Sequence, residues 1–110
     1  LAPASRFDLI LSNPPYIRTG DIDGLAPEIR AHEPLLALDG GADGFDAYRV
    51  LLGGAAGVLA PGGTLLMEMG ADQKAGMQAL AAEAGGYDMP EFISDLAGHD
   101  RVVKIKKIID

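Results

Sequence analysis

Cysteine and tryptophan are absent from this 110-residue chain, and histidine occurs only twice. Without cysteine there can be no disulfide and no thiolate metal site. His32 and His99 each lack a neighbouring imidazole or thiolate, so both read as ordinary loop residues and no metal is expected. No run of 18 apolar residues occurs, which excludes a transmembrane helix, and no signal-peptide pattern is present, so a cytoplasmic location is expected. Positive charge is scarce as well: nine Lys and Arg face 16 Asp and Glu, a net charge of −7. Nucleic-acid binding draws most of its affinity from phosphate contacts, and the only basic cluster is Lys104, Lys106 and Lys107. A protein or small-molecule substrate is therefore favoured over nucleic acid, and no membrane partner is expected.

What is present suits one α/β domain. Hydrophobic residues make up 48% and charged residues 23%, and the 15 glycines suit many tight connections. The informative stretch is Arg6 to Ile17, RFDLILSNPPYI. Phe7, Leu9, Ile10 and Leu11 form the nearly continuous apolar run of a strand buried on both faces of a parallel sheet. The run stops at Asn13-Pro14-Pro15-Tyr16. Two prolines remove two N–H donors and fix two φ angles, while Asn13, preceding a proline, is pushed out of the helical region. The result is a rigid corner rich in acceptors: the Asn13 side-chain oxygen and the carbonyls of Asn13 and Pro14. Such a corner suits a planar nitrogen bearing two hydrogens, with Tyr16 as an apolar wall. Asn-Pro is also a common turn initiator. By average residue usage, however, this tetrapeptide arises in a chain of this length on the order of once in a few thousand sequences.

The segment resembles the motif that follows the fourth strand in class I S-adenosylmethionine-dependent methyltransferases acting on planar nitrogens. Arg30, Glu33-Pro34, Ala37-Leu38, Gly40-Gly41, Asp43-Gly44, Tyr48-Arg49, Pro61-Gly62-Gly63, Glu68, Gly70, Gln73, Asp95, Gly98 and Arg101-Val102 recur in the order and spacing of the HemK/PrmC family. That family comprises the peptide chain release factor glutamine N5-methyltransferases. The resemblance implies methyl transfer from S-adenosylmethionine to a glutamine side-chain amide of a release factor. Asn13 and Pro14 would be catalytic, Asn13, Pro14, Pro15, Tyr16 and Glu33 would contact the substrate, and Asn13 would also meet the cofactor. It further implies a partial class I, Rossmann-like domain with a mixed sheet and a C-terminal antiparallel hairpin. Residues 1–110 would be the C-terminal part of the catalytic domain, without the cofactor-binding half and the helical domain of the family. No glycine-rich turn between a strand and a helix matches the cofactor loop. The chain alone is therefore expected neither to bind S-adenosylmethionine nor to be active.

The remaining chain reads as follows. Ile17 to Phe45 is a long ordered excursion folding back over the NPPY corner, with one or two helical turns at Pro27 to His32. Glu33-Pro34 is either the family's EP pair or a turn whose glutamate pairs with Arg30. Asp39 to Gly44 is a turn in which Asp43 caps a helix running from Asp46 to Ala60, with Ala47, Val50, Leu51, Gly54 and Val58 on its apolar face and Pro61-Gly62-Gly63 ending it. Thr64 to Met69 is a second buried strand, and the buried Glu68 at its C-terminal end reads first as a structural ion-pair partner. A helix starts near Asp72, with Gln73, Met77, Leu80, Ala81 and Ala84 on one face and Gly85-Gly86 at its end. Glu91 to Ser94 and Arg101 to Ile108 form the hairpin, with Val103 and Ile105 opposite Lys104 and Lys106, and the three lysines solvated.

In the family's strand order the spatial arrangement would be 4-5-7-6, leaving Phe7 to Ser12 as an unpaired edge open to dimerisation. Two rival functions remain: methylation of a nucleic-acid amino group (adenine N6 or guanine N2), and a non-catalytic structural or interaction module.

Overall fold

A computed structural model describes residues 6–25 and 38–109. Four strands, β1 (Phe7–Ser12), β2 (Leu59–Glu68), β3 (Glu91–Ser94) and β4 (Asp100–Lys106), form one sheet in the order β1-β2-β4-β3. β1 and β2 are parallel; β2 with β4 and β3 with β4 are antiparallel. This is the expected 4-5-7-6 arrangement, a mixed sheet ending in an antiparallel hairpin. Two helices, α1 (Asp46–Ala55) and α2 (Lys74–Ala84), pack on one face, and a short 3-10 turn (Thr19–Gly24) follows the NPPY corner. No helix among the described residues is long and apolar enough to cross a membrane.

The side-chain alternation of the strands decides where the core lies. Leu65 pairs with Ile10 and Ile105, and Met67 pairs with Val103, so these residues share a face. That face meets Tyr48, Leu52 and Ala55 of α1 and Met77 and Ala81 of α2 in the principal cluster of buried residues. Full burial of Leu65, Met67 or Ile105 contributes about 1.5–3 kcal/mol each. Among the described residues no helix covers the opposite face. Leu9 is 51% and Leu11 70% exposed, so β1 is not buried on both faces as its apolar run suggested, and an apolar sheet face lies open. The run reflects the burial of both faces in a complete parallel sheet, and only one helical layer is present among the described residues.

Both helices begin and end for local reasons. α1 stops at Ala55, five residues before the expected end, because Gly57 and Val58 donate to the carbonyls of Gly54 and Ala55 in tight i+3 bonds. Leu59 then enters the sheet opposite Phe7, and Leu9 pairs with Thr64, so residues 60–63 bulge out of β2 rather than ending a helix. Gly62 has φ +79° there, and its N–H donates to the Lys107 carbonyl at 3.0 Å. The apolar face of α1 also differs from expectation: Val50 is 75% exposed while Tyr48 and Leu52 are buried. The two candidate stripes are one residue apart, and the larger pair takes the core. α2 begins at Lys74, buries Gln73, Met77 and Ala81, and ends at Gly85 as the glycine pair suggested.

The C-terminal hairpin follows its alternation, Val103 and Ile105 being fully buried. β4 starts and stops slightly earlier than expected, at Asp100 and Lys106. Lys107 is not solvated: its Nζ donates to the carbonyls of Ala56 at 2.7 Å and Leu59 at 3.0 Å, placing a cation just past the C-terminus of α1. Asp95 organises the hairpin turn, accepting from the N–H groups of Ala97 and His99 and from Arg101 Nε at 2.9 Å. The Arg101 bond, followed by the His99 N–H, holds its pKa at about 2.

A carboxylate depressed in the folded state stabilises above its unfolded pKa, and that stability is lost as pH falls through the folded value. Asp95→Asn is expected to lower the melting temperature at pH 7. The gap from the parent chain should be constant above pH ~4 and shrink as pH falls towards ~2. A gap independent of pH in thermal melts would contradict this role.

Candidate functional site

β1 delivers the chain to Asn13 at the C-terminal edge of the parallel pair, the edge where open α/β sheets bind ligands. The bend is fixed at its centre: Pro14 is buried, Pro15 and Tyr16 are half-buried, and Asn13 is exposed. Among the described residues the Asn13 side chain has no hydrogen-bond partner, so its acceptor oxygen is available. It lines a cavity of about 450 Å³ together with Leu11, Ser12, Leu66, Met67, Glu68 and Val102. Of the expected site residues that are described, only Asn13 lines it. Pro14 and Pro15 stiffen the corner behind it, and Tyr16 packs against the core. Glu33, with the rest of the EP pair and the proposed helical turns at Pro27 to His32, lies outside the described residues.

The far end of the corner is tied down by main-chain bonds to the returning loop. Ile17 bridges Asp39 in parallel, its N–H donating to Leu38 at 3.3 Å and its carbonyl accepting from Gly40 at 2.7 Å. The excursion after the corner therefore starts and returns beside it, while its expected course over the corner lies outside the described residues. The glycines of the returning turn permit this closeness. A Cβ on Gly40 would lie 2.7 Å from Tyr16 Cα, and one on Gly44, which has φ +82°, would lie 2.6 Å from the Tyr16 carbonyl oxygen.

Their N–H groups are already engaged. Gly40 donates to Ile17, Gly41 to the Asp39 carboxylate at 2.9 Å and Gly44 to Gly41. These engaged groups are not available to hold an anion at this turn.

Asp43 was expected to cap α1, but its carboxylate accepts from the Phe45 N–H at 3.0 Å, ahead of the helix, and pairs with Arg49. Those two contacts, Arg49 first, hold it at about 2. Asp39 is also lowered, by the Thr19 hydroxyl and then the Gly41 N–H. Exposed Arg18 pairs with Asp72 at 3.1 Å, a solvent-screened link from the corner to the loop before α2. Glu68 is not buried: its carboxylate is exposed on the cavity, and its backbone carbonyl accepts from the Tyr48 hydroxyl at 2.8 Å.

Gln73, which its spacing places on the apolar face of the second helix with no role assigned, is 2% exposed at the head of α2. Its Nε2 donates to the carbonyls of Tyr16 at 3.1 Å and Gly44 at 3.3 Å, while Oε1 accepts from the Gly70 N–H at 2.9 Å. Tyr48, whose hydroxyl burial pushes its pKa well above the usual value, lies 3.3 Å from Oε1 and stays a neutral donor. A glutamine in line with Met77 and Ala81 on an apolar stripe was the available signal.

No family model matches the chain. Among curated proteins it is similar to the release factor glutamine methyltransferases of Moorella thermoacetica (50% identical over 96 residues, 87% of this chain and 34% of the relative). The enzyme of the same description from Caulobacter vibrioides is 53% identical over 97 residues, 88% of this chain and 33% of the relative. The chain thus spans about a third of the length of the curated relatives it matches. Among solved structures it resembles a release factor-specific protein-(glutamine-N5) methyltransferase from Alicyclobacillus acidocaldarius, with TM-score 0.57 and 25% identity over 94% of this chain and 50% of the other. These likenesses bear out both the HemK/PrmC resemblance and the class I methyltransferase fold class.

The fit around Gly44 gives a direct test. Gly44→Ala adds a Cβ at positive φ against the Tyr16 carbonyl and 3.0 Å from Gln73 Nε2, and is expected to destabilise by about 2 kcal/mol or more in denaturant melts. Gly53→Ala, in an open helical position, should serve as the harmless comparison. Equal effects would sink the close-packed reading of this turn.

Proposed function

We propose that this chain, a homologue of the release factor glutamine methyltransferases across about a third of their length, is the part of a class I methyltransferase domain that receives the substrate amide. The acceptor is the side-chain amide nitrogen of a glutamine in a peptide chain release factor. The single observation that carries the reading is Asn13: exposed, unpartnered and facing the cavity at the ligand edge, on a corner stiffened by buried Pro14.

An amide nitrogen is a poor nucleophile because its lone pair is delocalised into the carbonyl. As the nitrogen–methyl bond forms, positive charge grows on the nitrogen and its hydrogens. Oxygen acceptors fixed in advance stabilise that charge without reorganising. Asn13 Oδ1 and the Pro14 carbonyl are the acceptors, and a proline-locked backbone keeps them aimed. When bound, S-adenosylmethionine would supply the methyl group from its sulfonium, leaving as a neutral thioether, with one amide proton passing to solvent. Asn13 also borders the methyl donor, Pro15 and Tyr16 shape the substrate side, and Glu33 contributes a further substrate contact. The cofactor-binding half of the domain belongs against the open sheet face and the outer edge of β1, where Leu9 and Leu11 are exposed.

The net charge of −7 supports a protein acceptor over a nucleic-acid amino group. An assay offering the complete enzyme release factor, RNA and DNA in parallel separates these, and methyl transfer to nucleic acid alone would overturn the assignment. In the complete enzyme, Asn13→Ala is expected to lower kcat by about 10²–10³-fold while S-adenosylmethionine affinity changes by less than about threefold. Comparable loss of both would mean that Asn13 serves the methyl donor rather than the acceptor amide.

The isolated chain pairs with a second copy through the β1 edge, because an unpaired apolar strand presents free N–H and C=O groups. Sizing with light scattering should give a dimer. A monomer at micromolar concentration would contradict that pairing.

A further inference from the structure

We infer that Gln73 is a positioning residue for methyl transfer, holding the NPPY corner in its working geometry through the Tyr16 carbonyl; this rests on the reading of Asn13 and Pro14 as the amide acceptors. The side-chain amide of Gln73 is saturated. Its Nε2 has two hydrogens and two carbonyl acceptors, Tyr16 at 3.1 Å and Gly44 at 3.3 Å. Its Oε1 receives the Gly70 N–H at 2.9 Å and faces the Tyr48 hydroxyl at 3.3 Å. The orientation is dictated by these partners, because a flipped amide would set its oxygen against two carbonyls and its NH₂ against an N–H. The side chain is rooted in α2 as well: the Gln73 N–H donates to Gly70, and its carbonyl accepts from Met77 at 2.9 Å.

The corner has two clamps. Upstream, Ser12 is held in the β-ladder opposite Met67. Downstream, the peptide that follows Tyr16 is held at its carbonyl by Gln73, 57 residues away in the sequence, and at the Ile17 N–H by the Leu38 carbonyl. Between the clamps, Pro14 and Pro15 have locked φ angles and cannot absorb a displacement. A shift of Tyr16 is therefore passed back to Asn13 Oδ1 and the Pro14 carbonyl, the groups whose aim sets the rate. Misplacement of reacting groups by about 1 Å can cost on the order of 10²-fold. Gln73 touches neither substrate nor cavity, so its effect is transmitted entirely through the corner.

Two substitutions in the complete enzyme isolate the tether. Gln73→Glu keeps the shape and the acceptor for Gly70 but removes both donors and sets a carboxylate oxygen against the Tyr16 carbonyl. Gln73→Met keeps the volume with no polar atoms. Tyr48→Phe serves as the stability control, since it removes a buried hydroxyl of the same network while leaving the Gln73 bond to Tyr16 in place. The expected result is a fall in kcat of about 10- to 100-fold for both Gln73 variants, with KM for S-adenosylmethionine within about twofold. Tyr48→Phe should lower the melting temperature yet keep kcat within about threefold of the parent.

A kcat within threefold of the parent for either Gln73 variant, a parallel loss in Tyr48→Phe, or failure of both Gln73 variants to fold would overturn the positioning role. Asn13→Ala, measured beside them, keeps the two claims apart. If it retains full turnover, the acceptor reading falls. If it is inactive while the Gln73 variants are active, only the role of Gln73 falls.

Discussion

A buried primary amide needs four hydrogen-bonding partners, and in this protein a single glutamine obtains them from four separate segments. Gln73 joins the end of the NPPY corner, the glycine turn before α1, the loop after β2 and the Tyr48 hydroxyl of α1. Leaving any one of these groups unpaired in the interior would cost about 1–3 kcal/mol, so the segments are held in one mutual arrangement. No buried side-chain nitrogen or oxygen among the described residues lacks a partner. The glycines at 40 and 44 follow from the same constraint, since a side chain at either would enter the space of Tyr16. The corner is held because its surroundings are saturated, while the exposed Asn13 side chain has no hydrogen-bond partner among the described residues.

The placement of that leftover group follows from the sheet. A parallel pair ends with both C-termini at one edge, and β1 and β2 bring Asn13 and Glu68 there together. The helices cover the other face, so the cavity opens on the side where Leu9, Leu11 and Leu66 lie. The relatives are about three times as long as this chain.

Part of this was legible from residue pattern alone. The antiparallel hairpin follows from the alternation of Val103 and Ile105 with lysines, whereas the strand order follows from the family resemblance. What escaped were choices between near-equivalent local options. The stripe through Ala47 and Val50 and the stripe through Tyr48 and Leu52 differ by one position, and only packing against Met67 and Ile105 selects the second. Pro61-Gly62-Gly63 is turn chemistry in either role, helix stop or strand bulge, and the pairing of Leu59 with Phe7 makes it the bulge. Gln73 was placed on the apolar stripe without a role, because its partners lie up to 57 residues away, where local periodicity carries no information.

The central claim is that a proline-stiffened corner offers two oxygens to the hydrogens of one planar nitrogen. A crystal structure of the complete enzyme with S-adenosylhomocysteine and a glutamine-bearing release factor fragment tests it most directly. The account predicts the glutamine amide nitrogen at about 3 Å from both Asn13 Oδ1 and the Pro14 carbonyl oxygen, with its free face towards the cofactor sulfur. An amide nitrogen bound elsewhere, with Asn13 turned wholly onto the cofactor, would contradict it.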